Sequence, residues 1–222
     1  MYLLQNIFKL DGDTDVKITI ALIAAVGAFI VSIINYIGNN QQIREKRKSE
    51  RRAEIYKKLN DFYGPFQQYL NYSKELFRIF SKGKPKELRV LTYLLDPDQV
   101  YEFPDGSKRK VEISETDKEL LKQIFEVGEK MEKLIVEKAG LVDDPELRYS
   151  YKSDPFATDV NFEGSGLLTY AKAHFQIIRL AAIGKFRGET ERFKQYVFPR
   201  ELNGRIEKKI LSLQTELKQL NS

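Results

Sequence analysis

Between Lys17 and Arg44 the chain carries no charged side chain, and the 21 residues from Ile18 to Gly38 read ITIALIAAVGAFIVSIINYIG. At 1.5 Å per residue that run makes a helix of about 31 Å, the thickness of a bilayer's hydrocarbon core. A buried core helix of this length would show a polar stripe, and here only Thr19, Ser32 and Asn35 supply one. A secretory signal would open on basic residues and close at a small-residue cleavage site. Instead Asp11, Asp13 and Asp15 precede the run and Asn39-Asn40-Gln41-Gln42 follow it. The segment 18–38 therefore reads as a transmembrane helix. The mean hydropathy of −0.44 hides it, because the rest of the chain is very polar.

Orientation follows from the Lys/Arg asymmetry. Residues 1–17 contain only Lys9 and Lys17, whereas Arg44, Lys46, Arg47, Lys48, Arg51 and Arg52 crowd the other side. The positive-inside rule puts 1–17 outside as an extracytoplasmic arm and the remainder in the cytoplasm. The basic cluster also suits anionic lipid headgroups. In the arm, Tyr2, Leu3, Leu4, Ile7 and Phe8 recur at helical spacing and fit a short interfacial helix. Asp11-Gly12-Asp13-Thr14-Asp15 is not a calcium loop, since Val16 and Leu22 stand where glycine and glutamate are needed. These acids are better placed to cap the first turn of the span.

Within the span, Ala24, Ala28, Ser32 and Asn35 share one face, widened by Ala21, Ala25 and Gly27. Small residues let helices approach closely in lipid, and an intramembrane Asn needs a partner or water. One chain offers only one span, so the face predicts a homo-oligomer. The same face suits either close packing or the lining of a pore.

The fold class expected is mainly α. A basic stalk helix, 39–63, continues the span, and a cytoplasmic helical domain with a small β-hairpin occupies 64–222. Gly64-Pro65 is expected to break the stalk from the next helix, near 65–80, whose stripe is Phe66, Tyr69, Leu70, Phe77 and Phe80. A short helix passes through Leu88, Leu91, Leu94 and Leu95. The hairpin turns at Pro104-Asp105-Gly106-Ser107. Ser114-x-x-Asp117 starts a long helix near 115–139. A loop over 141–163 follows, then helices near 165–186 and 189–198. The last helix carries Ile206, Ile210, Leu213, Leu217 and Leu220 at heptad spacing, with Asn203 at a preceding core position. That seam fits a coiled coil between copies or packing against the domain.

The composition narrows the chemistry. With no cysteine and a single histidine, thiol nucleophiles, disulfides, Cys-ligated metals and multi-His sites are excluded within one chain. His174 lies in an apolar helical stripe and reads as structural. Gly184-Lys185 lacks the upstream glycine and the Ser/Thr of a phosphate loop, and Gly164-Ser165-Gly166 has the wrong spacing for a nucleophile elbow. Asp143-Asp144 and Asp154 sit beside prolines, as turn formers do, and are at most a cation loop. Neither catalytic residues nor cofactors are expected. The candidates that remain are cationic: Lys82, Lys84, Lys86 and Arg89 in one loop, Lys108, Arg109 and Lys110 on the hairpin. They suit an anionic ligand such as a lipid, nucleotide or nucleic-acid phosphate, with Tyr149, Tyr151 and Phe156 beside Lys152 available to stack bases.

An outward N-terminus, one span, a basic stalk and the run Arg52-Ala53-Glu54-Ile55-Tyr56-Lys57-Lys58-Leu59, then Tyr63-Gly64-Pro65-Phe66, are together similar to single-pass membrane effectors of bacterial anti-phage systems. The Hailong membrane effectors are one such group. The likeness covers residues 16–66 in architecture and assigns no role to an individual residue. It implies an oligomeric ion channel in the bacterial inner membrane that depolarises the cell. Such a channel is held silent by an oligonucleotide made by a partner nucleotidyltransferase. The other expectation the sequence leaves open is a membrane-tethered scaffold that binds a protein or nucleic-acid partner.

Overall fold

A computed structural model describes residues 12–148 and 166–221. The arm through Asp11 and the stretch containing Tyr149, Tyr151, Lys152, Asp154, Phe156 and Gly164-Ser165 lie outside the described residues. The chain divides into two compact units, 1–53 and 54–222.

In the first unit the described residues belong to one helix, α1, which runs Gly12–Lys58 and so extends into the second unit. It is long and apolar enough to cross a membrane, and none of its apolar segment is buried. Beyond the apolar segment its surface is a lattice of Lys, Arg and Glu, including pairs such as Lys48–Glu45 at 3.7 Å, one turn apart. Such pairs keep a helix soluble without a core to rest on.

The described residues of the second unit are mainly helical, with one small two-stranded sheet. Leu59–Tyr63 form a π-helical turn that passes directly into α2, Gly64–Phe80. The break expected at Gly64-Pro65 does not occur, and the reason is steric. Pro65 has no N–H to give, and its ring would collide with the carbonyl four residues back. Widening the turn accommodates it: the Gly64 N–H donates to the Leu59 carbonyl, five residues away. A Cβ on Gly64 would lie 2.7 Å from that oxygen, so the widened turn demands glycine. Gly64→Ala is accordingly expected to destabilise this unit by about 1–3 kcal/mol, the usual effect of overpacking. A thermal melt unchanged by the substitution would show that the π turn is not required.

The remaining elements are α3 (Val90–Leu95), β1 (Val100–Glu102), β2 (Lys108–Lys110), α4 (Glu115–Lys138), α5 (Pro145–Arg148), α6 (Leu167–Ala182), α7 (Thr190–Phe193) and α8 (Glu201–Asn221). Helix α4 starts where Ser114 and Asp117 cap each other, side chain to backbone in both directions. The hairpin pairs Val100 with Lys110, Tyr101 with Arg109 and Glu102 with Lys108. Its turn is closed by Asp105 accepting from the Ser107 backbone at 2.9 Å and by Gly106 at φ 78°.

Among the described residues three apolar clusters hold the unit together. The largest joins Ile55, Phe62 and Phe66 to Met131 of α4, Leu167 and Ala171 of α6, and Leu202, Ile206, Leu213 and Leu217 of α8. Phe62 and Phe66 stack with centroids 5.3 Å apart, and Tyr63 meets Phe62 edge-on. The heptad seam of α8 is thus buried in the chain's own core, with Ile210 and Leu220 packed at its margin. Asn203 is not a core residue. Its amide donates to Glu207 at 2.9 Å on the surface of the same helix. A second cluster sets Phe80, Leu88 and Val90 against Tyr101, Val111 and Leu121, which anchors the hairpin. The third joins Leu91 and Leu95 to Ile178, Ala181 and Phe193.

Candidate functional site

Ala24, Ala28, Ser32 and Asn35 fall within an arc of about 80° on α1, at 100° per residue. All four are exposed, and so is every residue from 16 to 37. Phe29 and Ile23 are each 68% exposed. A surface of contiguous Ile, Val, Leu and Phe is far larger and more apolar than a water-facing helix tolerates, at about 25 cal/mol for each Å² of apolar area. By length and composition this segment can cross a membrane.

The basic residues divide into two kinds. Lys84 is already committed. Its Nζ donates to the Phe80 carbonyl at the end of α2 and to Asp117 of the α4 cap, each at 2.7 Å. It also lies 4.5 Å from the Phe80 ring centroid. With its side chain only 12% exposed, Lys84 ties two helix ends together and cannot also greet a ligand. Arg109 rests over the Phe103 ring at 4.3 Å, and Lys110 pairs with Asp98 at 2.9 Å, which raises the ammonium pKa through that hydrogen bond. Lys82, Lys86, Arg89 and Lys108 are exposed. The segments that carry them pack on the same small core through Leu88, Val90, Tyr101 and Val111.

Asp143 and Asp144 are not a cation loop. Asp143 accepts from Lys58 at 3.0 Å and from Lys209 at 2.8 Å, while Asp144 receives Arg205 through two hydrogen bonds at 2.9 and 3.2 Å. Lys58 is only 6% exposed and also pairs with Glu54 at 2.6 Å. Burial alone would push the Asp143 pKa up, but the hydrogen bonds and charges of Lys209 and Lys58 outweigh it and hold the carboxyl at about 2. Burial and the neighbouring Asp143 raise the Tyr63 phenol. Nothing local in the sequence announces this cluster, whose Lys58–Asp143 contact spans 85 positions.

His174 stands where a structural histidine belongs. Its Nδ1 lies 2.5 Å from the Tyr196 carbonyl, so that nitrogen carries the proton, and the ring packs edge-on against Phe175 and Phe198. Burial lowers its pKa to about 4. Among the described residues no group of three His, Asp or Glu side chains is placed to hold a metal ion. No family model, curated protein or solved structure matches the chain.

Proposed function

We propose that the chain is a homo-oligomeric, single-pass effector of the bacterial inner membrane that forms a gated ion channel. Residues 18–38 cross the bilayer with the arm outside and the helical unit in the cytoplasm. The faces bearing Ala24, Ala28, Ser32 and Asn35 meet around a common axis. Binding of a nucleotide or oligonucleotide to the helical unit controls opening, and opening depolarises the membrane. The observation that carries this reading is the apolar segment of α1, exposed over its whole length and bearing one small, weakly polar face. Lipid covers the bulky side, and an oligomer covers the small one. The defence setting and a partner nucleotidyltransferase rest on the resemblance of residues 16–66 to anti-phage effectors.

The test is the full chain reconstituted in lipid. Mass measurement is expected to give an assembly larger than a dimer, because two spans enclose no pore. Ion-loaded vesicles carrying the chain are expected to leak under some nucleotide condition. A strict monomer in lipid, or vesicles tight under every condition tried, would overturn the channel.

A further inference from the structure

A groove of about 360 Å³ opens between α3, the N-terminal half of α4 and the end of α6. Tyr93, Phe125 and Ile113 make its walls and Ala182 part of its edge, while Lys118 and Arg187 supply its charged lining. No carboxylate lines it. Volumes of this order suit a small organic ligand.

Arg187 is held there by an unusual loop. Three residues of five take left-handed backbone conformations: Gly184 at φ 79°, Phe186 at φ 68° and Gly188 at φ 78°. For a bulky residue such as Phe186 that conformation is strained, and it persists only where the surroundings impose it. Two contacts do so. The Phe186 ring stacks on Phe193 with centroids 4.2 Å apart, and the Gly188 N–H donates to the Leu95 carbonyl at 3.2 Å. The loop is therefore pinned on both sides of Arg187, whose guanidinium is exposed and whose charge also reaches the Asp98 carboxylate. Lys118 pairs with Glu115 at 2.6 Å on the open surface, where such pairs exchange readily. The charges of Lys118 and Arg187 both act on the Tyr93 phenol, against the upward push of burial and of Asp117, so both cations lie within reach of this aromatic wall.

We propose that this groove binds a small planar aromatic anion, its ring between Tyr93 and Phe125 and its anionic group against Arg187 and Lys118. The basic loops of residues 82–89 and 108–110 take no part in that site, and the inference does not depend on the membrane reading. A guanidinium offers a carboxylate or phosphate two parallel donors, and a ring gains from aromatic walls only when both ends are satisfied together.

The probe is 1-naphthyl phosphate, followed by fluorescence anisotropy with the full chain in zwitterionic lipid discs and empty discs as baseline. The chain has no tryptophan to obscure the naphthyl signal. Binding is expected, with 1-naphthol and inorganic phosphate each at least about tenfold weaker, since each keeps only half of the recognition. Competition by 1-naphthoate tells whether a carboxylate serves as well as a phosphate. Arg187→Ala is expected to weaken the probe about tenfold through loss of charge-assisted hydrogen bonds. Ala182→Leu is expected to obstruct the groove without changing its charge or adding a fluorophore. Both positions are exposed, so unchanged melting curves should accompany the loss. Absence of probe binding, equal binding of 1-naphthol, or full affinity in both variants would overturn the site.

Discussion

Lys58→Glu is expected to cost the 54–222 unit about 3–5 kcal/mol, the scale at which breaking a buried charge pair destabilises a fold. Lys58 is 6% exposed and lies within 3.0 Å of Asp143 and 2.6 Å of Glu54. Reversing its charge places three carboxylates in one half-buried site and leaves Asp143 with Lys209 as its ammonium partner. Lys58→Met is expected to cost less, about 1–3 kcal/mol, because it removes the buried ammonium's desolvation penalty but leaves Glu54 and Asp143 without that partner, Asp143 keeping Lys209. The contrast matters more than either value. Chemical denaturation of the full chain in lipid discs, followed by far-ultraviolet circular dichroism, measures both. Equal destabilisation by Glu and Met would mean that packing of the lysine stem, and not its charge, is what the site requires.

The same cluster gives the fold an acid limit. The folded Asp143 pKa of about 2 lies below its ordinary 3.8, so the unfolded chain binds this proton first as pH falls. Its stabilisation is complete above about pH 4 and is lost progressively towards pH 2. His174 contributes earlier in the descent. Its folded pKa of about 4 lies below 6.5, so the folded state resists a proton that the unfolded chain accepts from pH 6.5 downward. Asp143→Asn is expected to flatten the lower part of that profile and leave the upper part unchanged.

Features written in neighbouring residues were legible in the sequence. Ser114 and Asp117 cap α4 three residues apart, Asp105-Gly106 turns the hairpin, and an uncharged run identifies the apolar part of α1. Periodicity told that α8 buries a face, but not against what. The same seam would serve a neighbouring copy or the chain's own core, and the core takes it. Gly64-Pro65 carried a true signal, a helix that must change, with two local solutions; the widened turn keeps Phe62 and Phe66 in the core where a break would part them. Contacts across the chain left no trace. Lys84 looked like one more cation in a basic loop until Asp117, 33 positions on, was placed beside it. The groove was equally invisible, because its walls come from elements whose order along the chain says nothing of their nearness.

Paired replacement of Ser32 and Asn35 by leucine is expected to bring ion efflux from vesicles down to the leak of empty ones while leaving the assembly's mass unchanged. In a channel these two positions carry the only side-chain polarity on the small face, and leucine there both narrows and dries the axis. Ile30 lies on the opposite side of α1 and faces lipid in the proposed arrangement, so Ile30→Ala should leave efflux near the parent level. If the small face only packs, the outcome differs in kind. Leucine removes the close approach that small residues permit, together with any interhelical hydrogen bond of Asn35, and the assembly itself should fall apart. A tethered scaffold predicts a third result, because exchanging residues 18–38 for an unrelated apolar span would then preserve function altogether. The channel stands only if efflux is lost with the assembly intact and the exchanged span fails to restore it.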